Sequence, residues 1–545
     1  MKNFKKITAL FLALLMIAST AVAITITSSA ANPTPDSTWY DANAETLYID
    51  NLEDLYAMLE VGKADGTDNG PDFEGQTIVL RTDLDMAGLT WEHGGNFDFA
   101  GTFDGQNHVI KNFTYNVTAQ YGFFDYVRGD GTVKNVSFVD VNGTAAAYCG
   151  IIARATGYAG TNGGVLFENV YVSGTVTSKS QSTGGFVGQH GSNDVTFRNC
   201  VSDIDVATGS AGRFGGFIGI GNAGATVTFE DCAFIGDISA APSHSGCFVA
   251  MTSTATSYNR TITLNRCVVL GNYNTGSHGA FTSFNGATNA SYTLTDCYFT
   301  RTTGRVLNSG GTATTAVTTG AISVKLGDAA AHTIASGTNI INKQTGIEEY
   351  YAENGGFLTD GDTINFTADN FGQKYPALAK AGWVVTNETV EYVAGKTVPV
   401  IMPASVAEML NKTTLTAPNA TSYLQIKNGT DGKYDVRFIG AVNADDLAAY
   451  ETVGFVVVVK LNGTAIMTET VETKAVYTSI KADGVDVTAE TLGADYLNVL
   501  QIAGFKAENA YDISVLSFAK KADGTVVYDY AGALEVTVQN AAVAQ

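Results

Sequence analysis

The chain has 545 residues, of which 59 are glycine, 8 are proline and 45% are hydrophobic. This composition is typical of an ordered protein of two or three domains and excludes a disordered tract. The formal net charge is −22, and because nucleic acids and anionic membranes both attract basic surfaces, neither is expected as a partner.

The N-terminus has the pattern of a secretory signal. Lysines at positions 2, 5 and 6 precede an apolar run over residues 7–17, and Ala21 and Ala23 follow. The run is shorter than the ~20 apolar residues that a spanning helix needs, so a cleaved signal peptide is favoured over a membrane anchor. We predict a signal and processing region over residues 1–31, and a secreted or cell-surface protein that does not insert into a membrane.

A polar leader over residues 32–44 precedes the first predicted element. Apolar residues recur at helical spacing between Leu52 and Leu59, which predicts an amphipathic helix. Asp50 or Asn51 stands where a helix cap is expected. A helix ahead of the repeats that follow is predicted to cover their first turn, whose strand edges are otherwise unpaired.

A short phrase recurs six times between Val133 and Phe299, and a second, glycine-led phrase falls between its copies. The second phrase is intact as Gly185-Phe-Val-Gly188. Two registered phrases per ~30 residues are typical of a solenoid, in which each repeat buries its apolar side against its neighbours. The last residues of the first phrase are Val136, Val170, Cys200, Cys232, Cys267 and Cys297.

The final residues of the six copies predict a ladder of stacked side chains inside the solenoid. Stacked aromatic side chains lie next to this ladder, among them Phe167, Phe197 and Phe229. Stacked residues of a parallel solenoid lie ~4.7–4.9 Å apart with parallel Cβ vectors. A disulfide requires Cβ atoms ~3.5–4.5 Å apart that converge. We therefore predict that the ladder cysteines are buried free thiols acting as small hydrophobes, rather than disulfides.

Inward positions lie three residues before and two residues after each ladder residue, which breaks strict alternation. The strand must therefore turn a corner between them. Asparagine or aspartate stands at the corner of five repeats, and both tolerate the left-handed conformation. The predicted corners are Asn135, Asn169, Asn199, Asp231 and Asp296.

The segment Gly101-Thr-Phe-Asp-Gly105, followed by His108-Val-Ile, is similar to a segment of a known family of repeat proteins. Together with the Gly-apolar-apolar-Gly unit it resembles bacterial surface proteins with GLUG repeats, which implies a right-handed parallel β-helix over residues 45–345. An antiparallel β-sandwich is the alternative, but it does not explain why the same residue types recur in register.

Residues 346–412 are predicted to be a cap and connecting segment, and residues 413–545 form a β-rich last unit. The phrases Val436-Arg-Phe and Val453-Gly-Phe, with a hairpin from Tyr511, resemble a C-terminal β-sandwich module of clostridial exported proteins. The predicted fold class is therefore all-β: a right-handed parallel β-helix with an N-terminal helical cap, followed by a C-terminal β-sandwich domain.

Parallel β-helices often host polysaccharide lyases and hydrolases, which need clustered carboxylates or a basic residue beside them. Asp203 and Asp205 alternate on one strand, and Asp194 and Asp237 lie in neighbouring repeats. A solvated outer face explains these four better than a catalytic or calcium cluster does. We therefore predict no catalytic residue, no metal site and no cofactor.

The expected function is non-catalytic adhesion or binding of extracellular glycans, or of host or environmental proteins, through a face of the β-helix of a monomer. The alternative is a carbohydrate-active enzyme, a polysaccharide lyase or glycoside hydrolase, on the same scaffold. Two or more carboxylates gathered with Arg, Lys or His in one groove favour the enzyme, whereas scattered carboxylates favour binding.

Overall fold

The structure of the chain is a computed structural model. The predicted signal peptide over residues 1–31 lies outside the residues it describes. The described residues are 32–63, 70–91, 97–116, 121–145, 148–157, 163–178, 182–191, 193–207, 212–221, 225–238, 244–252, 260–273, 278–284, 290–300, 305–308, 321–335, 349–351, 353–354, 356–361, 363–410, 423–428, 433–442, 450, 452–461, 464–473, 477–482, 485–490, 495–520, 526–539 and 542–543.

Residues 46–326 form a parallel β-solenoid whose largest sheet stacks one strand upon the next in sequence order. An antiparallel strand, His332–Ala335, pairs with the last parallel one and ends the stack. The strands on the main path are Thr46–Ile49, Thr77–Leu80, Thr102–Lys111, Thr132–Ala145, Gly164–Ser178, Asp194–Val206, Thr226–Glu230, Arg260–Asn265, Ala290–Thr295 and Ala321–Leu326, and the side strands are Leu84–Asp85, Thr114–Asn116, Ala233–Phe234, Val268–Val269 and Tyr298–Phe299.

A second parallel sheet forms another side of the solenoid, and a two-stranded sheet adds to it. The strands of the second sheet are Asp98–Phe99, Phe124–Val127, Cys149–Gly150, Ala153–Thr156, Ser182–Gly184, Val187–His190, Arg213–Gly215, Ile218–Gly221, His244–Gly246, Val249–Thr252, His278–Phe284 and Arg305–Asn308. The two-stranded sheet pairs Asp237–Ile238 with Asn272–Tyr273. The predicted β-helix is thereby confirmed as a parallel solenoid.

The C-terminal unit consists of antiparallel sheets, which agrees with the predicted β-sandwich class. A three-stranded and a five-stranded sheet share one core, to which Phe438 and Phe455 contribute. The three-stranded sheet contains Tyr423–Asn428, Lys433–Val442 and Tyr496–Lys506, the five-stranded sheet contains Thr452–Leu461, Thr464–Thr473, Ala510–Lys520, Val526–Gln539 and Ala542–Val543, and a small sheet contains Ser479–Ala482 and Val485–Thr488.

The solenoid interior is filled by parallel columns of aromatic rings. Phe197 stacks between Phe167 and Phe229, with ring centroids 4.9 Å apart on both sides. It also meets Phe186 and Phe217 edge-on, each at 5.6 Å. All five side chains are fully buried, and because a buried Phe contributes roughly 1.5–3 kcal/mol, these columns are a main source of stability.

Helices are few among the described residues: Leu52–Gly62, Phe371–Lys374, Pro376–Lys380 and Ala404–Leu410. Within this described part, no helix is long and apolar enough to cross a membrane. The first helix is capped by Asn51, whose side chain accepts a hydrogen bond from the Asp54 backbone N–H at 2.9 Å. Asp54 in return accepts from the Asp50 N–H at 2.8 Å, an exchange like that of a capping box.

Residues 356–361 and 363–410, here called the lateral segment, pack against the side of the solenoid. The segment contains the hairpin of Trp383–Val393 and Lys396–Pro403 and buries its apolar residues against outward-facing solenoid residues. The solenoid residues in this contact include Tyr171, Val201, Ala233, Ile235, Val268 and Leu270. The described part of the predicted 346–412 cap and connecting segment thus covers one side of the β-helix.

Candidate functional site

The predicted ladder residues are all buried in the solenoid interior. Val136, Val170 and Cys200 occupy one register on consecutive strands. The thiols of Cys200, Cys232, Cys267 and Cys297 each donate to backbone carbonyls at 3.3–3.6 Å. Burial raises the pKa of the Cys232 and Cys297 thiols. Burial thus favours the protonated form of these two thiols. Because every ladder side chain is buried away from solvent, the ladder is a packing element whose cysteines act as small hydrophobes.

The six cysteines are free and buried, which leads to a prediction about redox sensitivity. We expect dithiothreitol to leave the melting temperature unchanged, because there is no disulfide to reduce. Titration with a thiol reagent in denaturant, without reductant, should report six thiols per chain, whereas the native protein should react slowly. Fewer than six thiols in denaturant would contradict this expectation.

The predicted corner residues all adopt the left-handed conformation, with φ between 49° and 53°. Their side chains also bond from one turn to the next. The Asn135 side-chain amide donates to Asp104 Oδ1 at 3.0 Å, and that of Asn169 donates to Asn135 Oδ1 at 3.0 Å. Asp231 instead pairs with Arg266 through two contacts of 2.7 Å. The corners are therefore structural.

Two corners also anchor the lateral segment. The Trp383 indole N–H donates to Asp231 Oδ1 at 3.0 Å, and the Ser405 hydroxyl donates to Asn169 Oδ1 at 2.9 Å. Two side chains of the segment therefore hold the solenoid at two different turns. The side of the solenoid next to these corners is consequently occupied and does not present a free binding face.

The four aspartates considered as a cluster are used mainly as hydrogen-bond acceptors. Asp194 Oδ1 accepts from the Thr226 N–H and Asp205 Oδ1 from the Asp237 N–H, both at 2.8 Å and both from the following turn. Asp203 Oδ2 accepts from the Tyr171 hydroxyl at 2.7 Å. Within the described residues, no group of three His, Cys, Asp or Glu side chains is placed to hold a metal ion.

An open groove of about 750 Å³ lies beside the first turns of the solenoid. Its charged lining residues are Asp72, Glu74, Arg128 and Asp130. Gln76, Thr77 and Thr102 add amide and hydroxyl groups, and Ala100 and glycines complete the lining. The lining therefore offers many hydrogen-bond donors and acceptors and no aromatic ring.

Two glycines that line this groove leave no room for a side chain. A Cβ at Gly101 would lie 2.4 Å from the Phe73 carbonyl oxygen, so a side chain there cannot be accommodated without a backbone shift. Gly163 has φ +104°, and a Cβ there would lie 2.5 Å from Asp130 Oδ1. Both positions thus require glycine, the first for close backbone approach and the second also for its backbone conformation.

Most of the groove's charges are engaged within the protein. Arg128 Nη2 lies 3.1 Å from Asp72 Oδ2, and Arg128 Nε lies 3.4 Å from Asp98 Oδ2. Burial raises the pKa of Asp98, although Arg128 opposes this rise. Asp130 Oδ1 accepts from the Gly164 N–H at 3.1 Å. The carboxylate of Glu74 is exposed and has no such partner among the described residues.

None of these four charged lining residues is among the predicted site residues. They come from segments that are far apart in sequence, with a separation of 56 positions between Asp72 and Arg128. The local signals are Asp72-Phe-Glu-Gly75 and Gly129-Asp-Gly131, which are typical of ordinary turns. Only the stacking of turns brings them together, and a single sequence does not show which turn residues share an edge.

A second feature is the outer face of the main sheet, on the other side of the corners from the lateral segment. Thr196, Thr228, Thr263 and Thr293 stand in one register on four consecutive strands, and we call them the threonine column. All four side chains are half-buried. Their hydroxyls have no hydrogen-bond partner among the described residues.

Together, the fold and the groove define a parallel β-solenoid protein with an open polar site at its first turns. No family model matches the chain, and no curated protein matches it. Among solved structures, a "putative immunoglobulin A1 protease" from Bacteroides ovatus matches with 18% sequence identity and a TM-score of 0.38, covering 65% of this chain and 91% of that one. A likeness of this size carries no inference about function.

Proposed function

We propose that this chain is an exported, non-catalytic binding protein whose groove takes a hydroxyl-rich ligand, a glycan. The proposal rests on one observation: two of the three carboxylates in the groove already accept hydrogen bonds from the protein itself. Asp72 and Asp130 are each tied to a backbone N–H, and Asp72 also pairs with Arg128. A general acid or base must be free to exchange a proton with its substrate, and these two carboxylates are committed to holding the groove's shape.

The lining chemistry suits sugars. A sugar hydroxyl donates and accepts, and here it meets carboxylate and amide acceptors together with threonine hydroxyls. The lining of the groove includes no aromatic side chain, so recognition rests on hydrogen bonds rather than on ring stacking. Export is supported by the signal pattern of the first 31 residues.

The second candidate function, a carbohydrate-active enzyme, is favoured by one specific observation. The groove does gather three carboxylates with an arginine, and the Glu74 carboxylate is unengaged among the described residues. Glycoside hydrolysis uses two carboxyl groups in separate roles. With one free carboxylate, the groove lacks a residue for the second role. Binding is therefore the better-supported proposal.

The test is incubation of the purified protein with a panel of soluble glycans, with retention and the release of reducing or unsaturated ends measured together. We expect retention without release, and about a tenfold loss of affinity in Glu74→Gln, since a hydrogen bond to a charged group is worth ~1.5–3 kcal/mol. Glu391→Gln, at an exposed position of the lateral segment, is the matched control. Release that Glu74→Gln abolishes would support the enzyme, and absence of both retention and release would refute the proposal.

A further inference from the structure

The threonine column belongs to a regular array of hydroxyl groups. Two residues before it on the same strands stand Thr226, Thr261 and Ser291, also in register. Neighbouring strands lie ~4.8 Å apart, and residues i and i+2 of one strand lie roughly 6.6 Å apart on the same face. The pairing of these strands shows no register shift. This outer surface of the main sheet, here called the threonine face, therefore presents hydroxyls at the points of a two-dimensional lattice.

The charges beside this array nearly cancel one another, since three acidic residues alternate with two basic ones. On the other flank of the column, one charged residue stands on each of five consecutive strands, with alternating sign: Asp104, Lys134, Glu168, Arg198 and Glu230. Lys134 lies 3.2 Å from Asp104, and Arg198 lies 3.0 and 3.1 Å from Glu168 and Glu230. Although the chain carries −22, this face is nearly neutral, which suits an uncharged partner.

The face is also continuous with the groove. Thr77 and Thr102, which line the groove, pair with each other, and Thr102 pairs with Thr132 at the same outward position. Leu166 follows Thr132, and the threonine column then continues from Thr196. A ligand held in the groove can therefore extend along the solenoid axis over this face.

We infer that the threonine face docks the surface of an ordered, uncharged polysaccharide, whose chains repeat their hydroxyls as regularly as the strands repeat theirs. The inference rests on the proposed function, because it extends the same glycan beyond the groove. Each threonine supplies one hydroxyl and one methyl group, so a single contact is weak. Many contacts in register add up, and the face therefore favours a solid polymer over a short oligosaccharide.

The experiment is a depletion assay with microcrystalline cellulose and crystalline chitin, compared with soluble cellohexaose and chitohexaose. The test variant is T228V/T263V/T293V, which keeps each side chain's shape and strand preference and removes three hydroxyls. We expect binding to one of the solids to fall about tenfold or more, because each lost hydrogen bond costs a factor of roughly two to ten. The matched control T389V/T397V alters two exposed threonines of the lateral segment and should bind like the wild type.

The outcomes separate the inference from the proposed function. Binding to neither solid, or binding that the triple variant retains in full, overturns the threonine face. If soluble glycans are still retained and Glu74→Gln weakens them, the groove and the proposed function stand. Self-association of the chain that the triple variant abolishes also overturns the inference, because a second copy would then be the occupant of the face. Melting curves of all variants establish that each is folded.

Discussion

Replacing Arg154 by methionine is expected to lower the free energy of unfolding at pH 7 by about 3–5 kcal/mol, the usual cost of leaving one member of a buried ion pair alone. Asp125 is only 2% exposed, and Arg154 Nε lies 2.6 Å from its Oδ1. Methionine fills much of the volume of the aliphatic part of Arg154. It removes the guanidinium, whose carbon lies 4.0 Å from the centre of the Tyr126 ring, but a contact of this kind is worth only ~0.5–2 kcal/mol. The loss should therefore report the unpaired carboxylate.

The pH dependence of this loss has a definite sign. Burial raises the pKa of Asp125, and the hydrogen bonds from Arg154 oppose that rise; without the arginine the pKa should rise further. When the pKa of a carboxyl is raised in the folded state, its contribution to stability is fully present at pH values below its unfolded-state pKa of 3.8. This contribution is lost as the pH rises through the folded-state pKa. Urea unfolding of Arg154→Met should thus show a larger deficit at pH 7 than at pH 5.

The control is the double variant D125N/R154M, which removes both charges from the site. We expect it to regain most of the lost stability, since replacing a buried pair by neutral residues is often close to neutral. A deficit of equal size at both pH values, or a double variant as unstable as Arg154→Met, would show that packing rather than charge accounts for the loss.

Shortening Phe197 to alanine is the second large effect, with an expected loss of about 3–5 kcal/mol. The ring lies in contact with four other phenylalanines, and aromatic pairs add ~0.5–1.5 kcal/mol each beyond burial. Urea denaturation gives the magnitude. Hydrogen exchange should locate the damage in the neighbouring turns, because each turn of a solenoid is supported only by its neighbours.

Phe197→Leu is the matched variant, since it retains most of the volume and leaves a small cavity. Its loss should stay well below that of the alanine variant, because hydrophobic swaps of similar volume usually cost under ~1.5 kcal/mol. Equal losses in the two variants would mean that ring geometry, and not filled volume, stabilises the column. A loss under about 1 kcal/mol for alanine would mean that the turns collapse onto the cavity.

The solenoid could be predicted from the sequence because each of its turns must fill the same inward positions and make the same corner. Phe167, Phe197 and Phe229 stand at one inward position, and a corner follows each of them at a fixed distance. A fold whose strands do not repeat in this way has no reason to place one residue type at the same position of every repeat. The structure describes a parallel stack over residues 46–326, and the predicted right-handedness and end at residue 345 stay predictions.

The lateral segment and the groove could not be predicted in the same way, because both depend on contacts between distant parts of the chain. A signal for the segment was present: Val201, Val268 and Leu270 are apolar at outward positions where a solvated face would be polar. Such a pattern indicates that something covers the strand on both sides. It does not indicate which part of the chain does so.

The two anchors of the lateral segment have a consequence for how this protein can change over evolution. A solenoid gains or loses turns easily, because every turn is built alike. Here Ser405 holds the corner at Asn169 and Trp383 holds the corner at Asp231, two turns or roughly 9.6 Å further along. The two contacts therefore fix the number of turns between these corners. Duplication or deletion of a repeat between these corners would separate one of the two side chains from its corner.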